Sequence, residues 1–235
     1  MSNLKGSVVG ITIGIRYARS FRVPDISGEI IDHILYDSKT PFGVKFFPNV
    51  QENSSREKTL FNGRTGEYIR INTDDLILAI QVDGDFDKKM KWISEKVIPY
   101  FEEELFRVYK IKNIKRLGIV FSHKISKNKE LSDAIAAFTD DSVSNPDNIS
   151  ISFSRKSAVK EALFRRDTSD YRNKIYNFRE LEESVQADLD CQYYYEPLIE
   201  DLRNCFVNKV LSEASEFLGN NFYKWLEKYE KKTSK

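Results

Sequence analysis

The chain carries little of the side-chain chemistry that enzymes usually depend on. Its 235 residues include two histidines, His33 and His123, and two cysteines, Cys191 and Cys205. Two cysteines in a chain this long exclude a disulfide framework and point to reduced thiols in a cytoplasm, with both side chains expected in the core. No two histidines or cysteines lie close in sequence, so a zinc cluster is excluded, and no metal or cofactor is expected. No apolar run approaches the roughly 20 residues of a membrane span. Residues 1–7 lead directly into a strand pattern, so no signal peptide is expected. Net charge is also scarce. With 37 basic and 36 acidic residues the total is +1, and bulk charge draws the chain neither to nucleic acid nor to a membrane.

What is present is an ordinary globular composition, 40% apolar and 31% charged, with 16 Phe and 12 Tyr to fill an aromatic core. Ile11, Ile13, Ile15 and Tyr17 alternate with small or polar residues, the signature of a half-buried strand. Pro24 and Asp25 open a helix expected to run to about Tyr36 with Ile26, Ile30 and Ile34 inward. Val44 to Val50 reads as a strand, and the polar stretch Asn53 to Arg56 as a turn. Asn62-Gly63-Arg64-Thr65-Gly66, between Thr59–Phe61 and Glu67–Ile71, has hairpin chemistry. Asp75 to Val82 reads as a central strand, apolar on both faces.

Two long amphipathic helices are expected, each closing a strand-rich run. In the first, Phe86 to Ile111, the residues Phe86, Met90, Ile93, Val97, Phe101, Leu105 and Val108 step by three or four and form one stripe. Pro99 is expected to kink or divide it. The second, Pro197 to Leu218, carries Leu198, Leu202, Val210, Ala214 and Phe217. It is expected to stop at Gly219 before a short helix bearing Phe222, Trp225, Leu226 and Tyr229. Between them, strands are expected from Leu117 to His123, Ile149 to Phe153, Ala162 to Arg166, Arg172 to Phe178 and Val185 to Tyr195, with a short helix at Glu130 to Phe138.

Corresponding elements recur at an offset of about 106 residues, Ile11 with Leu117 (106), Val44 with Ile149 (105) and Phe86 with Pro197 (111). The expected fold is therefore α+β, a mostly antiparallel sheet from two similar β-α-β-β-β-β-α halves, residues 1–111 and 112–235.

The strand–helix opening, Trp92 on the first long helix, Lys115-Arg116-Leu117-Gly118-Ile119 and the late Ala187-Asp188-Leu189-Asp190 strand together carry a resemblance. The chain resembles a sporadically distributed bacterial family of uncharacterised α+β proteins of about this length. Members tend to end the mid-chain strand on a Tyr-Ile-Asn-like triplet, where this chain has Phe121-Ser122-His123. The resemblance implies a bacterial accessory or mobile-element product and brings no activity with it.

Few residues invite a chemical role. His123 continues an apolar strand face and is expected to be a core histidine, and His33, beside a helix stripe, a surface one. Asp83, Asp85 and Asp87 imitate a calcium loop, yet Lys88 stands where glycine is needed and Ser94 where the bidentate acid belongs. Helix capping accounts for them. Asp188 and Asp190 share one strand face with no third ligand in reach.

The charge distribution is more informative. From Arg155 to Arg179 there are eight basic residues against three acidic ones, interleaved with Phe164, Tyr171, Tyr176 and Phe178. That pairing of charge with aromatic rings suits phosphate contact and stacking. Arg155, Lys156, Arg165, Arg166 and Arg172 are the candidate contacts for nucleic acid or another acidic partner. The next stretch, Glu180 to Asp201, holds eight acids and no Lys or Arg, and adjacent strands would let the two neutralise each other. The sequence thus favours a non-enzymatic protein-interaction module, with Phe222, Trp225 and Tyr229 as a candidate partner surface. Nucleic-acid binding through 155–179 and a small-molecule sensor between the halves are the alternatives.

Overall fold

Alternating apolar residues build one large antiparallel sheet. The structure is a computed structural model, and it describes residues 8–126, 150–158, 168–180 and 184–218. The described residues form nine strands: β1 (Val8–Tyr17), β2 (Asn49–Ser54), β3 (Glu57–Phe61), β4 (Tyr68–Ile71), β5 (Asp75–Gln81), β6 (Ile114–Ser126), β7 (Ser150–Ala158), β8 (Tyr171–Glu180) and β9 (Ser184–Ile199). They lie in the order β2-β3-β4-β5-β1-β6-β9-β8-β7, and every pairing is antiparallel. The expected short helix at Glu130 to Phe138, the strand at Ala162 to Arg166 and the helix carrying Phe222, Trp225, Leu226 and Tyr229 fall outside the described residues.

One face of the sheet is buried under helices. Ile11, Ile13, Ile15 and Tyr17 of β1, Leu117, Ile119 and Phe121 of β6, and Leu189, Cys191 and Tyr193 of β9 all point to it. Over it lie α1 (Arg22–Asp25), α2 (Ser27–Tyr36), the long helix α3 (residues 86–106) and α4 (Val207–Phe217). Phe86 meets Phe121 edge-on at 5.8 Å, and Phe106 meets Tyr17 at 6.1 Å, which fixes α3 across the centre of the sheet. None of the described helices is long and apolar enough to cross a membrane.

The first long helix is continuous through Pro99, where the sequence predicted a kink or division. Its turns widen instead: Ile93–Val97 and Phe101–Phe106 are π-helical around an α-helical turn, Ile98–Tyr100. Ile98 N–H bonds to Ile93 O and Arg107 N–H to Glu102 O, five residues back. The wide turn makes room for a proline ring that would strike the carbonyl of an ordinary i−4 turn. At the start of the helix Asp85 caps Lys88 N–H at 3.0 Å, as the sequence suggests.

Three other expectations are corrected. The helix expected from Pro24 begins at Arg22 and breaks at Ile26, so α1 and α2 are separate. Residues 44–48 form no strand. Phe46 N–H and Phe47 N–H both bond to Gly43 O, and this turn gathers Phe42, Phe46 and Phe47 against Trp92. A turn buries three neighbouring aromatic rings together, which strand alternation does not allow.

The stretch Asn53 to Arg56 is the tip of the β2–β3 hairpin, and β2 is an edge strand exposed on both faces, so no apolar period announced it. Finally, Pro197 to Ile199 belong to β9, not to a helix. A 3-10 turn, Leu202–Cys205, follows, and Phe206 with φ 51° then starts α4, which is about half the expected length.

Candidate interaction surface on the open sheet face

The second face of the sheet lies under none of the described helices, and it is the candidate site. Strand alternation sends to it Gly10, Thr12, Gly14 and Arg16 of β1 and Arg116, Gly118, Val120, Ser122 and Lys124 of β6. Along this central seam Gly10 faces Ser122, Thr12 faces Val120 and Gly14 faces Gly118. The seam is therefore low and small-sided. A Cβ added at Gly118 would meet nothing closer than Gly14 O at 3.9 Å, so internal packing does not demand glycine there.

On the β2 side of the seam the charges pair with each other. Arg16 reaches Asp74 at 3.5 Å, and Arg70 lies 3.7 Å from Glu57 and 3.6 Å from Asp75. On the β7 side they do not. Arg116, Lys124, Lys156 and Arg179 make no ion pair among the described residues, and two carboxylates of β9 are hydrogen-bonded by glutamines of the same strand. Gln192 Nε2 donates to Asp190 Oδ2 at 2.6 Å, and Gln186 Nε2 donates to Asp188 at 3.1 Å. Burial raises the Asp190 carboxyl above its usual range, against the hydrogen bond from Gln192 and the charge of Arg116.

Two of these cations bracket an aromatic stack. Tyr171 of β8 and Tyr194 of β9 are opposite in register, and their rings stack with centroids 4.4 Å apart and planes 10° apart. Arg116, from β6, lies 5.6 Å from the Tyr194 ring, and Lys156 Nζ, from β7, lies 3.8 Å from the Tyr171 ring. The order β6-β9-β8-β7 puts each cation on the outer side of its ring. Arg116 Nη1 also donates to Tyr194 Oη at 3.3 Å, and that hydroxyl donates to Gln192 Oε1 at 2.7 Å. The result is a ladder, Arg116–Tyr194–Tyr171–Lys156, with a neighbour on each face of both rings.

The sequence-predicted basic segment is split by strand parity. Lys156 lies on the open face. Arg155 and Arg172 point to the helix side, where Arg172 pairs with Glu213 of α4. Lys174 also points there, with Nζ 3.1 Å from the Phe217 ring centroid, and burial lowers its ammonium to about 8. Arg165, Arg166, Phe222, Trp225 and Tyr229 lie outside the described residues.

The expected neutralisation of this segment by residues 180–201 does not occur on the described strands. β8 and β9 are neighbours, but Asp188 faces Asn177 and Asp190 faces Ile175, while Arg172 and Lys174 face Tyr193 and Cys191 on the opposite side. Sequence reasoning missed Arg116 and Tyr194 as site residues. The period-two polar run Gln186, Asp188, Asp190, Gln192, Tyr194 was the available signal for the polar face of β9.

The histidines stay out of the site. His123 is fully buried, and its Nδ1–H donates to Ala187 O at 3.1 Å. His33 is not the surface residue expected. It sits between Tyr100 and Tyr109, with Nδ1 3.2 Å from Tyr109 Oη and Nε2 3.3 Å from Asp37 Oδ2. Among the described residues no three His, Cys, Asp or Glu side chains converge as metal ligands would. On the helix side, Met90, Ser94 and Glu95 of α3 and Asn208, Leu211 and Ser215 of α4 line an open groove, bridged by Asn208 Nδ2 donating to Ser94 O at 3.3 Å.

No protein-family model matches the chain, and no curated protein matches it. Among solved structures, a Methanococcus jannaschii TBP aligns over 89% of this chain and 98% of its own at 8% identity, with a TM-score of 0.24. At that score the likeness carries no argument about fold or function.

Proposed function

We propose that this protein is a non-enzymatic binding module that receives a protein partner on the open face of its sheet. One observation carries the reading. The described helices gather on one side, while the other side presents a low seam of Gly10, Thr12, Gly14, Val120 and Ser122 beside a polar field whose charges differ in kind across it. A uniformly anionic polymer laid over this face would meet Asp75, Asp188 and Asp190 as well as the cations. A protein surface supplies acceptors and donors together, as mixed interfaces require.

The proposal includes the internal duplication. Outward from the β1–β6 seam the order is β5, β4, β3, β2 on one side and β9, β8, β7 on the other, so each half places its last strand beside its first. That matching order supports two similar halves, and it makes the open face a continuous surface shared between them.

Photocrosslinking tests the site. A benzophenone amino acid at Thr12 or Ser122 should yield protein adducts in the cell that encodes the chain, and one at Lys96, exposed on α3, should not. Adducts from Lys96 alone would overturn the reading. Nuclease-sensitive adducts from Thr12 and Ser122 would replace the protein partner with nucleic acid.

A further inference from the structure

The ladder on the open face carries a narrower claim, which rests on the binding-module reading above. We infer that Arg116 and Lys156 together recognise an extended acidic peptide segment whose two carboxylates are four residues apart.

The argument is one of charge and spacing. Neither cation lies within ion-pair distance of a carboxylate among the described residues, although Arg116 is close enough to Asp190 to favour its ionised form, and Asp188 and Asp190 are hydrogen-bonded by Gln186 and Gln192. The successive separations of 5.6, 4.4 and 3.8 Å along the ladder hold the two cations at most about 14 Å apart. An extended chain rises ~3.4 Å per residue, so carboxylates four residues apart, on the same side of the peptide, span about the same length. The stacked tyrosines act as the spacer. Each ring has a neighbour on both faces, which restrains the cations by cation–π contact.

The same packing argues against single-stranded nucleic acid as the occupant. Base stacking requires an open ring face, and here a base must first displace Lys156 from Tyr171 or Arg116 from Tyr194. A peptide carboxylate needs only one free donor from each cation, and its backbone can use the Tyr171 hydroxyl between them.

Fluorescence anisotropy with short glycine–serine peptides tests the inference. The probes carry two glutamates, either four residues apart or two apart, and unlabelled oligothymidylate serves as competitor. At low salt the four-residue probe should bind about threefold more tightly than the two-residue probe, as expected for exposed ion pairs, and both should weaken as salt rises. Lys156→Gln and Arg116→Gln should each bring the ratio close to one. Lys124→Gln, which removes an exposed cation on the same face but off the ladder, should lower both affinities and keep the ratio. Unchanged thermal unfolding of each variant shows that the fold is intact.

Equal affinity for the two probes, no binding of either, or displacement by oligothymidylate at concentrations below the peptide's own Kd would overturn the inference. If adducts still form at Thr12 and Ser122, only the ladder's role falls. If those adducts are missing too, the open-face reading falls with it.

Discussion

Arg172 and Glu213 tie the sheet to the helix layer, with Arg172 Nη1 donating to Glu213 Oε1 from β8 to α4. Their side chains are 26% and 16% exposed, and Arg172 Nε and Glu213 Oε2 are buried without a hydrogen-bond partner. Removing one member leaves the other charge desolvated. Glu213→Ala should therefore cost about 2–4 kcal/mol in urea unfolding, and the double change Arg172→Met/Glu213→Leu should recover most of it. A loss under ~0.5 kcal/mol would mean that solvent screens the pair as on a surface. Arg172→Met should leave peptide binding unchanged, since this guanidinium faces away from the open side.

His123 sets an acid limit to stability. Burial lowers its imidazole from 6.5 to about 4, outweighing the hydrogen bond to Ala187 O. Between those values the unfolded chain binds a proton that the folded chain refuses, so folding is favoured by high pH. The neutral ring contributes fully above pH 6.5, and that contribution is lost as pH falls to 4, by about 3 kcal/mol in all. Denaturant midpoints at pH 7, 5.5 and 4.5 check this slope. The variant His123→Gln should flatten it, and an unchanged slope would assign the acid sensitivity to other groups.

Glu102 acts in the opposite sense. Burial, reinforced by Glu103 and Asp201 against Arg203, raises its carboxyl from 4.5 to about 7. A raised carboxyl makes its contribution below the unfolded value and loses it as pH rises through 7. Glu102→Gln keeps the neutral form at every pH. Because the group is partly exposed and screened, the gain at pH 8 should be only about 1 kcal/mol, falling to nothing near pH 4.5. Paired urea titrations at the two pH values measure it, and equal gains at both would contradict the assigned carboxyl.

Both cysteines should be chemically silent in the folded protein. Cys191 and Cys205 are buried, and burial pushes the Cys191 thiol up to about 12. Modification by dithionitrobenzoate at pH 8 should be at least about a hundredfold slower than in urea, where both thiols react. A thiol titrating rapidly without denaturant would place a cysteine at the surface.

Gly118→Ala tests whether the low seam serves the fold. A Cβ there meets only ordinary contacts, with Gly14 O at 3.9 Å and Asp190 Oδ1 at 4.0 Å. Alanine should leave stability unchanged or raise it by about 0.5–1 kcal/mol by restricting the unfolded chain. A loss above ~1 kcal/mol in urea unfolding would show that the fold itself requires glycine at this point.

Much of the architecture is local and was therefore legible in the residues themselves. The two-residue period of Ile11, Ile13, Ile15 and Tyr17, the three-to-four step from Phe86 to Leu105, the Asp85 cap and the burial of His123 each follow from neighbours along the chain. Elements without an apolar period were not legible. β2 is exposed on both faces, and the Phe42–Phe47 turn buries its rings against Trp92, a partner almost fifty positions away. Helical spacing also continued through Pro197 to Ile199, where pairing of Ile199 with Ile114 holds the chain as strand.

The candidate site depended most on tertiary structure. Residues 155–179 announced a concentration of charge, but a strand turns successive side chains to opposite faces, and only register decides which face meets a helix. Register sent Arg172 and Lys174 under α4 and left Lys156 and Tyr171 outside. It also brought Arg116 and Tyr194 beside them from two other strands. Composition and alternation determined that cations and aromatic rings would share this part of the chain. Strand order alone determined that Arg116, Tyr194, Tyr171 and Lys156 stand in one row, because that row runs across the strands, perpendicular to everything the sequence records in order.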